Sequence, residues 1–161
     1  MSVSKDTCTF KKISRSPKET LSVAQGLGRS LKRGDVVLLC GPLGAGKTVC
    51  VKGILKGLGI DKDIVRSSSF TLIREYGKEN NKVFHIDLYR IDKIKELDLL
   101  GYEEYFYEPR GISLIEWADK VEEMITRYVK VGIDYIDDKS RTVIIDFKKL
   151  PQRKRDYDEI T

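Results

Sequence analysis

A chain of 161 residues, 40% hydrophobic and 34% charged, is composed as a soluble globular protein with room for one domain and a substantial core. Its net charge of +5 and pI near 9.0 permit contact with nucleic acid or an acidic partner without requiring either. No apolar run approaches a membrane span, and Met1 to Asp6 carry no apolar signal core, so the expectation is a cytoplasmic protein with no membrane contact.

In chain order, Thr7 to Ile13 alternates loosely and predicts a first strand at a sheet edge. Ser16-Pro17-Lys18-Glu19 predicts a helix start: a hydroxyl cap, proline at the first helical position and glutamate at the third. That helix would turn Leu21, Ala24, Leu27 and Leu31 inward and end near Gly34. Val36 to Cys40 is a short apolar run, as in a buried strand. Gly41-Pro42-Leu43-Gly44-Ala45-Gly46-Lys47-Thr48 follows and matches the phosphate-binding pattern G-x-x-x-x-G-K-[ST]. Val51, Ile54, Leu55 and Leu58 then fall on one helical face, and Gly57 and Gly59 supply a stop.

Strand, glycine loop and helix together make the pattern a physical site. The glycines let the loop bring consecutive N–H groups close to a phosphate. The helix adds its positive N-terminal end. Lys47 supplies a point charge for the β- and γ-phosphates, and the Thr48 hydroxyl is suited to a Mg²⁺ shell. Cys8, Cys40 and Cys50 form no C-x-x-C pair and read as reduced core residues.

Beyond the loop, the second half of Ser67 to Tyr76 predicts a strand, residues 77–81 a turn, and Lys82 to Arg90 a second strand of a hairpin. Asp92 to Leu100 predicts a short helix carrying Ile94, Leu97 and Leu100, with another helical turn from Tyr102 to Phe106. Gly111 to Trp117 predicts a buried strand, Ala118 to Met124 a short helix, and Tyr128 to Ile136 with Arg141 to Phe147 a closing hairpin. The expected organisation is one α/β P-loop domain over residues 1–150. Residues 151–161 would be a flexible basic tail, with too little aromatic interleaving for nucleic-acid stacking.

Two apolar runs end in an acid, Val83 to Asp87 and Ile112 to Glu116. In a P-loop sheet the ligand lies at the carboxyl ends of the strands, so both acids are candidates, one for the metal and one for the attacking water. Nothing in the two runs distinguishes their roles, which are interchangeable. His85, the one histidine, reads as a packed or partly exposed strand residue; Trp117 reads as core or as a nucleotide neighbour. A kinase would need an acceptor pocket and an arginine-bearing lid, and Arg110 and Arg127 stand singly. A GTPase would need Asn-Lys-x-Asp, which Asn81-Lys82-Val83-Phe84 does not provide. A binding module gated by nucleotide, without turnover, stays open.

The P-loop, Ser67-Ser68-Ser69-Phe70-Thr71-Leu72, His85-Ile86-Asp87-Leu88-Tyr89-Arg90 and Leu114-Ile115-Glu116-Trp117, in this order, resemble the TsaE (YjeE) family of P-loop ATPases. The resemblance covers roughly Ser16 to Arg141. It implies a mixed sheet with an antiparallel hairpin, flanked by helices, and an ATPase of tRNA threonylcarbamoyladenosine synthesis. Its cofactors would be ATP and Mg²⁺. Its partners would be proteins of the TsaD and TsaB type, with tRNA contacted only through them. By position it implies that the loop from Gly41 to Thr48 holds the phosphates, that Thr48 and Glu116 carry Mg²⁺, and that Asp87 serves hydrolysis. Ser69, Trp117, Ala118, Asp119 and Arg141 would lie near the nucleotide. The family's Ser-Pro-Thr-Phe is here Ser67-Ser68-Ser69-Phe70, which implies a looser switch loop and slower or more partner-dependent hydrolysis.

Overall fold

The computed structural model describes residues 8–61, 65, 72–106 and 109–161. The predicted switch loop at Ser67 to Ser69 lies outside them. The element order is β1 (Thr9–Ser14), α1 (Pro17–Ser30), β2 (Val36–Cys40), α2 (Lys47–Gly57), β3 (Ile73–Tyr76), β4 (Lys82–Asp87), α3 (Lys95–Leu99), α4 (Glu103–Phe106), β5 (Gly111–Glu116), β6 (Val129–Tyr135), β7 (Arg141–Asp146) and α5 (Pro151–Ile160). Two 3-10 turns, Ala118–Lys120 and Glu122–Met124, lie between β5 and β6.

The strands form one sheet in the order β1-β7-β6-β2-β5-β4-β3. Its centre is parallel: β2 pairs with β5 and β6, and β4 with β5. Both margins are antiparallel, with β3 on β4 and with β7 between β6 and β1. β2 and β5 are buried at every position, which is why each reads as a continuous apolar run rather than an alternation.

The two sheet faces are covered differently. On one, α1 and α2 pack over Val37, Leu39, Val131 and Ile145. The Ser16 Oγ accepts the Glu19 amide at 3.2 Å while the Glu19 carboxylate accepts the Arg15 amide at 2.8 Å, so the predicted cap is formed. The helix ends earlier than expected, at Ser30, and Leu21 is only half-buried while Val23 takes its place in the core. Backbone meets backbone between the two helices. A Cβ on Gly28 would strike the Ile54 carbonyl, and one on Gly57 the Gln25 carbonyl. A Cβ on Gly53 would likewise lie only 2.5 Å from the Leu21 carbonyl oxygen.

The other face is covered by short pieces around Leu38, Phe84, Ile86 and Ile115, chiefly Leu97, Phe106 and Val121. Here three expectations are corrected. β4 ends at Asp87 rather than Arg90, because Leu88 bonds across to the Glu116 carbonyl and the chain turns. Lys120 Nζ fastens that turn by donating to the carbonyls of Leu88 (2.8 Å) and Ile91 (2.6 Å). In α3 only Leu97 is buried; a helix of five residues turns one position inward and leaves Ile94 and Leu100 exposed. The helix expected over Ala118 to Met124 is two 3-10 turns, broken where Val121 leaves helical angles.

Residues 151–161 are not a flexible tail. Pro151 starts α5, which docks on α1. The Tyr157 ring packs against Phe10 and Phe147, with centroids 5.2 and 5.5 Å away. Arg153 makes a forked pair with Asp35, Nε–Oδ2 2.5 Å and Nη2–Oδ1 3.1 Å, at the turn that launches β2. Charge pattern alone does not reveal this docking, because Asp35 and Phe10 lie far away in sequence.

Candidate active site

The P-loop bridges β2 and α2 across Gly41–Gly46. Gly44 and Gly46 take positive φ angles of 75° and 118°, open to glycine at little cost. The loop is braced from behind by β6 and β7: Tyr135 Oη donates to the Leu43 carbonyl at 2.9 Å, and Arg141 Nε donates to the Ala45 carbonyl at 3.2 Å. The Arg141 guanidinium lies 4.1 Å over the Tyr135 ring, joining the two braces.

Lys47 opens α2 and is buried. Its ammonium donates to the carbonyls of Gly41 (2.5 Å) and Pro42 (2.8 Å) and lies 4.0 Å from the centre of the Trp117 ring. Burial pulls its pKa below the ordinary value, against the opposing charges of Glu116 and Asp87. Trp117 holds this position with a left-handed backbone, φ 58°, the one such non-glycine residue among those described.

Asp87 and Glu116 are direct neighbours in register at the carboxyl ends of β4 and β5. Their surroundings differ. Glu116 is 4% exposed and both its oxygens are engaged: Oε1 accepts from Thr48 Oγ1 at 3.3 Å, and Oε2 lies 2.9 Å from His85 Nε2. Asp87 is half-buried, and its Oδ1 accepts the Tyr89 amide at 3.0 Å. Burial pushes its carboxyl above the usual range; the Tyr89 bond works against this and the Glu116 charge adds to it.

These groups line a cleft of about 740 Å³. Gly44, Gly46, Lys47, Thr48, Asp87, Glu116 and Trp117 face it, and Leu43, Tyr89, Leu99 and Leu100 stand around it. Thr48 and Glu116 offer hard oxygen donors of the kind that Mg²⁺ takes. No cluster of three or more His, Cys, Asp or Glu side chains among the described residues offers an all-protein metal cage.

Other expected site residues stand apart. Ala118 is buried beneath the cleft, and Asp119 turns to Cys40, whose thiol is pushed up to about 12 by burial and then by that hydrogen bond. Arg141 reaches the loop from behind and does not line the cleft. Ser69 lies outside the described residues. Two residues were missed: Tyr135, whose contact depends on the fold of the last hairpin, and His85. The available signal for His85 was parity, since it shares a strand face with Asp87.

The family described as "Threonylcarbamoyl adenosine biosynthesis protein TsaE" matches residues 14–143. A Bacillus subtilis protein named tRNA threonylcarbamoyladenosine biosynthesis protein TsaE is 43% identical over 109 residues, 68% of this chain and 66% of that relative. A Nostoc protein of the same name is 41% identical over 124 residues, 76% of each chain. The crystal structure of Bacillus subtilis YdiB superposes with a TM-score of 0.73 at 30% identity, covering 94% of this chain and 93% of that one.

Proposed function

The chain belongs to the TsaE family of threonylcarbamoyl adenosine biosynthesis proteins, and from this we propose that it is the Mg²⁺-dependent ATPase of the tRNA threonylcarbamoyladenosine machinery. The observation that carries the reading is the Thr48–Glu116 contact at a strand end, with Asp87 next to it in register. The P-loop amides and Lys47 hold the β- and γ-phosphates. Thr48 Oγ1 and Glu116 Oε1 carry the metal, which when bound offsets phosphate charge. Asp87, half-buried with a raised carboxyl, orients the attacking water. Trp117 keeps Lys47 in place beside the phosphates. Tyr135 and Arg141 hold the loop's shape through its carbonyls.

The protein acts on a partner pair of the TsaD and TsaB type in the cytoplasm and reaches tRNA only through them. The exposed apolar rim supports a protein partner closing over the cleft: Leu43 is 69% exposed, Tyr89 53% and Leu99 89%.

The test is ATP hydrolysis by the purified chain, alone and with the two-protein partner, using Lys47→Ala as the blank. Partner stimulation is expected, and Asp87→Asn is expected to lose about 100-fold of it or more. Partner-independent turnover, or phosphate on a small acceptor, would move the reading to a stand-alone kinase or hydrolase. Full partner function from an Asp87→Asn protein that binds ATP without turnover would favour the nucleotide-gated module.

A further inference from the structure

His85 is the only histidine of the chain and is 2% exposed, an unusual burial for a residue with two polar ring atoms. Its Nε2 lies 2.9 Å from Glu116 Oε2. A carboxylate only accepts, so the hydrogen sits on Nε2. Nδ1 is buried with no hydrogen-bond partner among the described residues, so within them this one bond is all that the ring's polar atoms make. The Tyr76 ring lies nearly parallel to it, with centroids 6.4 Å apart and an interplanar angle of 25°.

The bond divides the work of Glu116. With Oε2 held by His85, Oε1 is left turned toward Thr48 Oγ1, the other hard oxygen donor of the site. The cost of burying an otherwise unpartnered imidazole beside the cleft is hard to account for by packing alone, since an apolar side chain would fill the space without it.

We infer that His85 is a positioning residue, whose Nε2–H fixes the Glu116 carboxylate so that Oε1 is presented with the Thr48 hydroxyl to the metal of a bound Mg²⁺-nucleotide. This rests on the reading of Thr48 and Glu116 as the metal-carrying pair. His85 touches neither nucleotide nor metal; it acts through the orientation of one carboxylate, and such outer partners set metal affinity.

The chain also has one tryptophan, Trp117, which lines the cleft and whose fluorescence serves as the probe of binding. ADP affinity is measured with and without Mg²⁺ in the parent protein, His85→Leu and His85→Gln, and for His85→Leu also in a Glu116→Gln background. His85→Leu is expected to lose about 10-fold or more of the affinity that Mg²⁺ adds, while metal-free affinity stays within about twofold. The glutamine amide can donate to the same oxygen, so His85→Gln restores most of the loss. In the Glu116→Gln background, His85→Leu changes nothing further.

Equal losses with and without Mg²⁺, or no loss at all, overturn the proposal. If His85→Leu does not fold, the ¹⁵N spectrum of the single histidine in the parent protein decides. A fixed Nε2–H tautomer, released in Glu116→Gln, supports the proposal; a hydrogen on Nδ1 alone sinks it. A parent protein whose ADP affinity gains nothing from Mg²⁺ would instead sink the metal-carrying reading of Thr48 and Glu116, and this inference with it.

Discussion

The two faces of the sheet are built on opposite plans. One is sealed by two long helices in backbone contact and clasped by a third, α5. The other is roofed by helices of four and five residues and a lysine-fastened turn, and it leaves apolar side chains in solvent around a cleft. The strands between them serve both: β2 is buried on each face and ends in the P-loop, which leads into α2, so the sealed face itself supplies Lys47 and Thr48 to the cleft. Backbone-tight packing is concentrated between α1 and α2, and exposed apolar side chains at the rim of the cleft.

The strongest way to break this contrast is to put a side chain between α1 and α2. Gly28→Val is expected to cost about 3–5 kcal/mol or prevent folding, because the obstacle is a backbone carbonyl that cannot step aside. On the open side, Gly101→Ala meets no atom within 4 Å and is expected to cost only about 1 kcal/mol, for its left-handed angle. Denaturant unfolding of both variants checks the difference; similar losses would remove the contrast.

Next in size is the α5 clasp. Arg153→Met leaves Asp35, 4% exposed, without its forked partner and is expected to cost about 2–3 kcal/mol, less than a fully buried pair because the guanidinium is 12% exposed. Hydrogen exchange should then show α5 opening ahead of the sheet, and unchanged protection there would argue against a clasp.

On the open face, Leu99→Ser and Leu100→Ser should move stability by no more than about 0.5 kcal/mol. Partner-stimulated hydrolysis should nevertheless fall at least about tenfold if the rim is where a partner sits. A stability loss without a change in stimulation would mean that these leucines are part of the fold.

The smallest effect is a shift with pH. The Asp87 carboxyl is raised in the fold, chiefly by burial, so it binds more protons there than in the unfolded chain. Its destabilising contribution is full above the folded pKa and vanishes below the unfolded one. Asp87→Asn should therefore be slightly more stable than the parent at pH 7 and equal to it at pH 3, by denaturation at both. A variant less stable at pH 7 would show that the ionised carboxylate is welcome in its place.

What could be read from the chain follows the range of the interactions. The α1 cap, the loop and the strand ends are each written within a stretch of about eight residues or fewer, and Ser16 to Glu19, Gly41 to Thr48, Asp87 and Glu116 were all legible. α5 was not, because its charge pattern is local while its anchors, Asp35 and Phe10, come from the other end of the chain. His85 was legible as a strand residue and not as a partner, since its pairing with Glu116 exists only once β4 lies beside β5. Of the apolar positions given to α3, Leu97 is buried while Ile94 and Leu100 are not, because periodicity does not give helix length.

The edge pairing of β1 with β7, which sets Thr9 opposite Asp146, bears on how the protein is made. A ribosome delivers the first strand long before its only neighbour exists. At 5–20 residues per second the wait is about 7 to 30 s. During it the β1 segment is a free strand edge carrying Phe10 and Ile13. Lys11 and Lys12 between them are the charges that discourage such an edge from pairing with another chain.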